Sequence, residues 1–185
     1  MPPARTVPTA WIASIERAMK SDRVAVLAGV LGELSAAGTF DDPALFAPSR
    51  ADRYARRLLW RDPHDRFVVT AMTWAPGQAA QLHDHAGLWG AEIVVSGTMR
   101  ESTYRVAERD GNGATRFIGG ADVVLAERSI GIVVPPLEYH AYANAGASIS
   151  HTVHVYAGPM ETCTAYTPAG GDWWRGETRT LRYDA

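Results

Sequence analysis

The 185 residues carry a net charge of -2, from 18 basic and 20 acidic side chains, with 46% hydrophobic composition and a single cysteine. A chain of this length is expected to build one domain with a full core, and its near-neutral balance argues against nucleic acid or an anionic membrane as partner. One cysteine excludes an intrachain disulfide and a thiolate-rich zinc cluster, so a reducing cytoplasm is the expected compartment. No apolar run approaches the roughly 18 residues of a membrane span, and no charged-then-apolar leader opens the chain.

Residues 1–7 read as a frayed leader. Thr9 is placed to cap a helix running to Lys20, with Trp11, Ile12, Ile15 and Met19 at helical spacing. Ser21 or Asp22 then caps a second run, Val24 to Ala37, which carries Val26, Leu27, Val30, Leu31 and Leu34 and stops at Gly38. Asp41-Asp42-Pro43 is a further helix-start signal, and the arginine-rich stretch Arg50 to Arg57 reads as another short helix. Residues 1–64 are therefore expected to form a helical cap on a barrel built from residues 65–185.

From Asp65 the pattern changes to short β-rich segments between turn residues. Phe67 to Trp74 is strand-like, Ala75-Pro76-Gly77 is a turn, and Gln81 to His85 is a strand. Glu92 to Val95, Thr98 to Val106, Arg116 to Ile118, Asp122 to Leu125 and Ile130 to Val134 follow, with Asp110-Gly-Asn-Gly113 as a hairpin loop. Tyr139 to Ala143, Ser148 to Tyr156, Thr162 to Thr167 and Thr178 to Tyr183 complete the set. Short strands at this spacing indicate a mainly β sandwich or jelly-roll barrel.

The chemistry centres on His83-Asp84-His85. Alternate residues of a strand share a face, so the two imidazoles can converge on one atom while Asp84 points away. Imidazole is the commonest metal ligand, and His140 is the candidate third. The stretch Thr152-Val153-His154-Val155-Tyr156 alternates without a break, so Thr152, His154 and Tyr156 are expected to face the barrel interior while Val153 and Val155 pack outward. His64 and His151 read as surface or structural, Cys163 as an inert thiol, Trp89 as core or a narrowing of the pocket, and Trp173-Trp174 as packing for the C-terminal segment.

These residues carry a resemblance. Gly77-x5-His83-x-His85 with Gly97 resembles the first motif of the cupin superfamily, and Pro135-x4-His140-x3-Asn144 the second. Tyr54-Ala-Arg56, His83-Asp84-His85, His140, Thr152-Val-His154-Val-Tyr156 and Glu161-Thr-Cys163 together resemble the cysteine dioxygenase (thiol dioxygenase) family, over roughly Arg53 to Tyr166. The resemblance implies a cupin double-stranded β-helix with an N-terminal helical cap, holding Fe(2+) on His83, His85 and His140. A typical cupin places a glutamate ligand five residues after the second histidine, where this chain has Gly90; Glu92 shares that face, two residues too far along. Gly90 also stands where the mammalian enzymes have the cysteine they link to the tyrosine matched by Tyr156, so the likeness is to the bacterial branch.

The implied activity is addition of both atoms of dioxygen to the sulfur of a small thiol carboxylate, giving a sulfinic acid, with L-cysteine as first expectation. Arg56 would bind the carboxylate, with Arg53 or Arg57 as alternatives; Tyr156 would hydrogen-bond near the reacting groups and the carboxylate, and His154 would hold the tyrosine hydroxyl. Ala157-Gly158, where the mammalian enzymes have Ser-Pro, leaves 3-mercaptopropionate or mercaptosuccinate open as substrate. A non-catalytic metal-binding cupin, or a cupin isomerase or other dioxygenase on zinc or manganese, are the remaining alternatives. The expected partners are the thiol and dioxygen alone.

Overall fold

The computed structural model describes residues 9–21 and 23–184. The expected leader, the side chain of Thr9 and the alternative cap Asp22 lie outside them. Helix α1 (Thr9–Met19) buries Trp11, Ile12, Ile15 and Ala18, and α2 (Val24–Ala36) buries Leu27, Leu31 and Ser35 on one stripe. Ser21 closes α1 instead of capping α2, donating its hydroxyl to the Ala18 carbonyl at 2.6 Å. The N-cap of α2 is Arg23, with no side-chain hydrogen bond, and Gly38 ends the segment at φ +72°, a left-handed conformation that costs glycine little. Asp42 caps a single 3-10 turn, Pro43–Leu45, by accepting from the Ala44 N–H at 2.9 Å.

Among the described residues eleven strands follow: β1 (Ala55–Arg61), β2 (Val68–Trp74), β3 (Ala79–His83), β4 (Gly90–Ser96), β5 (Met99–Arg109), β6 (Ala114–Leu125), β7 (Ile130–Val133), β8 (Tyr139–Asn144), β9 (Ser150–Tyr156), β10 (Thr162–Gly170) and β11 (Trp173–Thr180). One sheet has the order β1-β2-β9-β4-β7. The other runs β10-β11-β6-β5-β8-β3, and a pairing of Ala165 with His83 returns β10 to β3 and closes it. All the observed strand pairs are antiparallel. Among the described residues no helix is long and apolar enough to cross a membrane.

Three expectations need correction. Arg50 to Arg57 is not a helix: the chain bends after Arg50 and then enters β1, which pairs with β2 from Ala55 opposite Thr73 to Arg61 opposite Val68, skipping Leu59 at a bulge. Arginine and leucine are good helix formers, but a ladder against a fully buried neighbour overrides that weak preference. The β region thus begins about ten residues earlier than the expected boundary at residue 65. Strand β3 ends at His83, leaving His85 in the following turn. The two segments expected around residues 116–118 and 122–125 are one long strand, β6, paired along β5 with two irregularities.

The helices cover the outer face of the first sheet. Val69, Ala71, Ala91, Ile93, Val153 and Val155 form one core with Trp11, Ile15, Leu27, Leu31 and Phe40. Because successive strand residues alternate, burying Val153 and Val155 under the helices turns Thr152, His154 and Tyr156 into the barrel, as the alternation predicted. The inner face of that sheet and the facing six-stranded sheet enclose the site.

Candidate metal centre and active site

His83 and His140 are cross-strand partners on β3 and β8. The ladder pairs Ala79 with Ala143 and Ala80 with Tyr142, then slips by one residue so that His83, not Leu82, faces His140. A bulge that re-aims a side chain is what the site requires here, since the unslipped register would set a leucine opposite His140. His85 arrives from the turn. That turn is stapled by Asp84, whose Oδ1 accepts from the N–H of Ala86 at 3.1 Å and of Thr164 at 2.8 Å, and Leu88 N–H closes back on the His85 carbonyl at 3.0 Å. Asp84 therefore points away from the histidines, as expected, and ties them to β10.

The three imidazoles form a nearly equilateral triangle, with ring centroids 4.8 to 4.9 Å apart and one nitrogen from each within 4.8 Å of the others. Each Nδ1 already has an acceptor. His83 Nδ1 meets the Gln81 carbonyl at 2.8 Å, His85 Nδ1 the Glu138 carbonyl at 3.0 Å, and His140 Nδ1 the Glu101 Oε1 at 2.8 Å. A ring that donates from Nδ1 keeps a lone pair on Nε2, so the tautomers required for metal binding are set by these partners. His85 Nε2 is buried without any hydrogen-bond partner among the described residues, so this nitrogen is free to serve as a metal ligand. Burial and the neighbouring His140 lower the pKa of His83 to about 4 and hold His85 well below the usual imidazole range, keeping both neutral. Burial acts the same way on His140, but the Glu101 hydrogen bond and the carboxylates of Glu92 and Glu101 outweigh it and raise the value. Three converging imidazoles with no carboxylate among them could hold a transition-metal ion of the kind imidazole suits, zinc, copper, iron or nickel.

Glu92 lies on β4 beside this centre, 1% exposed. Its Oε2 is 2.9 Å from His154 Nδ1, and its Oε1 has no partner among the described residues. Glu92 and His154 are register partners on β4 and β9, which explains the contact. A carboxylate oxygen of Glu92 also comes within 4.8 Å of a ligand atom of His140 in a second grouping with Glu101, so the triangle is flanked by two acids and contains neither.

A directed chain of hydrogen bonds runs along the opposite wall. Trp74 Nε1–H donates to Thr152 Oγ1 at 2.9 Å, Thr152 Oγ1 lies 2.7 Å from His154 Nε2, and His154 Nδ1 lies 3.0 Å from the Tyr156 hydroxyl. Trp can only donate, so Thr152 Oγ1 accepts from it; the Glu92 carboxylate beside His154 Nδ1 can only accept, which favours the His154 hydrogen on Nδ1 and leaves Nε2 to accept from the Thr152 hydroxyl. The Tyr156 oxygen then accepts and its hydrogen is free to point into the cavity. Burial, with the Glu92 charge, pushes the Tyr156 phenol well above its usual pKa, so it stays protonated.

A cavity of about 260 Å3 adjoins the histidine triangle at His83, and Tyr156, Arg56 and Arg179 also line its wall. No carboxylate lines it among the described residues. Arg56 is 3% exposed. Its Nη2 donates to the Met160 carbonyl at 2.8 Å, while Nε and Nη1 are buried with no partner among the described residues. Of the three arginines considered, Arg56 alone faces the cavity: Arg57 donates to the Ala44 carbonyl, and Arg53 is paired with Asp184. Tyr54, stacked on Trp74 at 4.3 Å, and Cys163 also line the cavity. Burial pushes the pKa of the Cys163 thiol up to about 11, which favours its protonated form.

Gly90 lies against Tyr156 on the adjoining strand. A Cβ there would fall 2.4 Å from the Val155 carbonyl oxygen and 2.9 Å from Tyr156 Cδ1, so glycine permits the close approach of β4 to the tyrosine. Asn144 is structural, donating to the Trp74 and Ser148 carbonyls at 2.8 Å and accepting from Gly146 N–H. His151 meets Ser96 Oγ at 3.0 Å and packs on Phe46, outside the histidine triangle. Sequence reasoning missed Glu101, Met160 and Arg179. None falls in a motif, and each is brought to the site only by strand register or chain return.

A family described as cysteine dioxygenase type I matches residues 16–169. Among solved structures the chain is similar to the protein TT1209 of Thermus thermophilus, at 21% identity over 60% of this chain and 90% of that one, with a TM-score of 0.44. It is similar also to a Klebsiella pneumoniae protein with a double-stranded β-helix domain, at 22% identity, 62% and 84% coverage and a TM-score of 0.45. A recombinant oxalate oxidase in complex with glycolate matches at 15% identity, covering 60% of this chain and 53% of that one, with a TM-score of 0.45.

Proposed function

Since this chain belongs to the cysteine dioxygenase type I family, we propose that it is an Fe(2+)-dependent thiol dioxygenase acting on a small thiol carboxylate. The observation that carries the reading is a triangle of three histidines whose Nδ1 atoms are each hydrogen-bonded, one of which, His83, lines the same cavity as Arg56 and Tyr156. His83, His85 and His140 would hold the iron. When bound, it supplies open coordination positions for a thiolate and activates dioxygen for addition to sulfur. The balanced reaction is thiol plus dioxygen giving sulfinic acid, both oxygen atoms ending on sulfur and the thiol proton on oxygen.

The protein's own part is to bind, orient and donate. The Arg56 Nε–H and Nη1–H groups, left without a protein partner among the described residues, would offer charge-assisted hydrogen bonds to the substrate carboxylate and so bias the direction of its short chain. Met72, Met160 and Ala165 close the apolar side of the cavity against water. The Tyr156 hydroxyl, held by His154 through the chain from Trp74, offers its hydrogen to charge that develops on the reacting groups. A free thiol substrate also suits a reducing cytoplasm, where thiols persist.

L-cysteine is the first substrate to test, because a clamped carboxylate directs both its thiol and its amine toward the iron. Arg179 favours a second reading, a thiol with two carboxylates such as mercaptosuccinate, since it sets a second cation in a wall without acids. Oxygen-electrode measurements on iron-loaded protein with L-cysteine, 3-mercaptopropionate, mercaptosuccinate and cysteamine decide between them. Arg56→Gln is expected to raise KM for the carboxylate thiols and to leave iron content unchanged. No oxygen uptake with any of the four overturns the assignment.

A further inference from the structure

Arg56 is held by a segment that no motif marks. After β11 the chain turns back along β1, with Leu181 N–H donating to the Glu161 carbonyl at 2.7 Å. Asp184 then brackets the Arg56 backbone: its N–H donates to the Arg56 carbonyl at 2.7 Å, and its Oδ2 accepts from the Arg56 N–H at 3.0 Å. The same carboxylate takes both terminal nitrogens of Arg53, at 2.8 and 2.6 Å. One residue earlier, the Tyr183 ring lies 4.5 Å from the centre of the Arg56 guanidinium. A ring face there attracts the buried cation without consuming a single N–H donor. With Nη2 given to Met160, Nε and Nη1 are the donors left without a partner among the described residues, on a residue that lines the cavity.

We propose that the strap Leu181–Asp184 is part of the substrate site, with Tyr183 and Asp184 as positioning residues that preset Arg56 for a carboxylate. The inference rests on the reading of Arg56 as the carboxylate clamp. A long side chain ordered only when substrate arrives lowers affinity by its lost freedom, whereas one already fixed between a ring face, a carbonyl and a bracketed backbone does not. Neither strap residue is placed against the reacting atoms, so the effect belongs in KM and not in kcat.

The test compares Tyr183→Leu, Tyr183→Phe and Asp184→Ala in the full-length, iron-loaded protein. KM for 3-mercaptopropionate is expected to rise roughly tenfold in Tyr183→Leu and Asp184→Ala with kcat unchanged, while Tyr183→Phe, which keeps the ring face, stays near wild type. Binding of cysteamine, a thiol with no carboxylate, is expected to be unaffected. Calorimetric titration of 3-mercaptopropionate under nitrogen reads the same loss without turnover. An enzyme that consumes no oxygen would therefore overturn the dioxygenase reading and still report on the strap. Unchanged affinity for 3-mercaptopropionate in Tyr183→Leu, or an equal loss for cysteamine, overturns the proposal; if Asp184→Ala does not fold, the two Tyr183 variants decide it.

Discussion

Replacing Glu92 with glutamine separates two roles that the sequence leaves open for this acid. The exchange preserves volume, which matters because a Cβ on Gly131 would lie only 3.0 Å from Glu92 Cγ and Oε1. What changes is the contact with His154. Glu92 Oε2 lies 2.9 Å from Nδ1, and both side chains are almost wholly buried. A hydrogen bond to a charged partner contributes about 1.5–3 kcal/mol against about 0.5–1.5 for a neutral pair. The variant thus loses about 1–1.5 kcal/mol of hold on the imidazole that presents Tyr156, or roughly tenfold. We expect kcat for the best thiol to fall by about that factor while iron content, measured by elemental analysis, stays at the wild-type level. Loss of iron in the variant would mean that Glu92 ligates the metal, and unchanged kcat would mean that the His154 contact plays no part in catalysis.

Other outcomes follow from the same geometry. Glu101→Gln weakens the acceptor that sets His140 and is expected to lower iron affinity about 10- to 100-fold, read by competition with a chelator; His140→Ala should leave the site without iron altogether. The intact mass should equal that of the unmodified sequence, since Gly90 offers no sulfur and the Cys163 thiol is held protonated; a cross-link mapped to Tyr156 would refute this. Asp62, 2% exposed, is held well below the usual carboxylate range, first by its hydrogen bond from Arg66, then by the N–H groups of Arg66 and His64. A depressed folded-state pKa stabilises the fold fully above the unfolded value near 3.8 and loses that contribution as pH falls below it. Wild-type Tm should accordingly drop more steeply than that of Asp62→Asn between about pH 4 and 2, and parallel curves would refute the assignment.

The parts of this molecule that sequence alone made legible are those with short-range signals. Alternation in Thr152 to Tyr156 gave both the inward face and the outward valines, because period-2 burial is a local property of a strand. The spacing of His83, His85 and His140 pointed to the metal site without revealing how it is assembled: a one-residue slip in the β3–β8 register and a turn pinned by Asp84 leave no composition signal. Arg50 to Arg57 was misread because arginine suits a helix surface, and only pairing with β2 makes Ala55 to Arg61 a strand. Glu101, Arg179, Tyr183 and Asp184 reach the site from strands and a tail far along the chain, where register and chain return, not residue type, decide proximity.

The placement of chemistry on the two facing walls has a consequence for how such a site diversifies. His83 and His140 stand on the closed six-stranded sheet, with His85 in the turn beside it, whereas Trp74, Glu92, Thr152, His154 and Tyr156 stand on the five-stranded sheet, and Arg56 joins them from its edge strand. The histidine triangle that would hold the metal and the residues proposed to contact the substrate therefore draw on separate hydrogen-bonded ladders. Substitutions on one sheet can retune which substrate is held, or where its proton goes, without disturbing the tautomers that hold the ion on the other. Directed evolution confined to β1, β2, β4 and β9 should yield variants with altered thiol preference and intact iron content more often than the same mutational load placed on β3, β5 and β8.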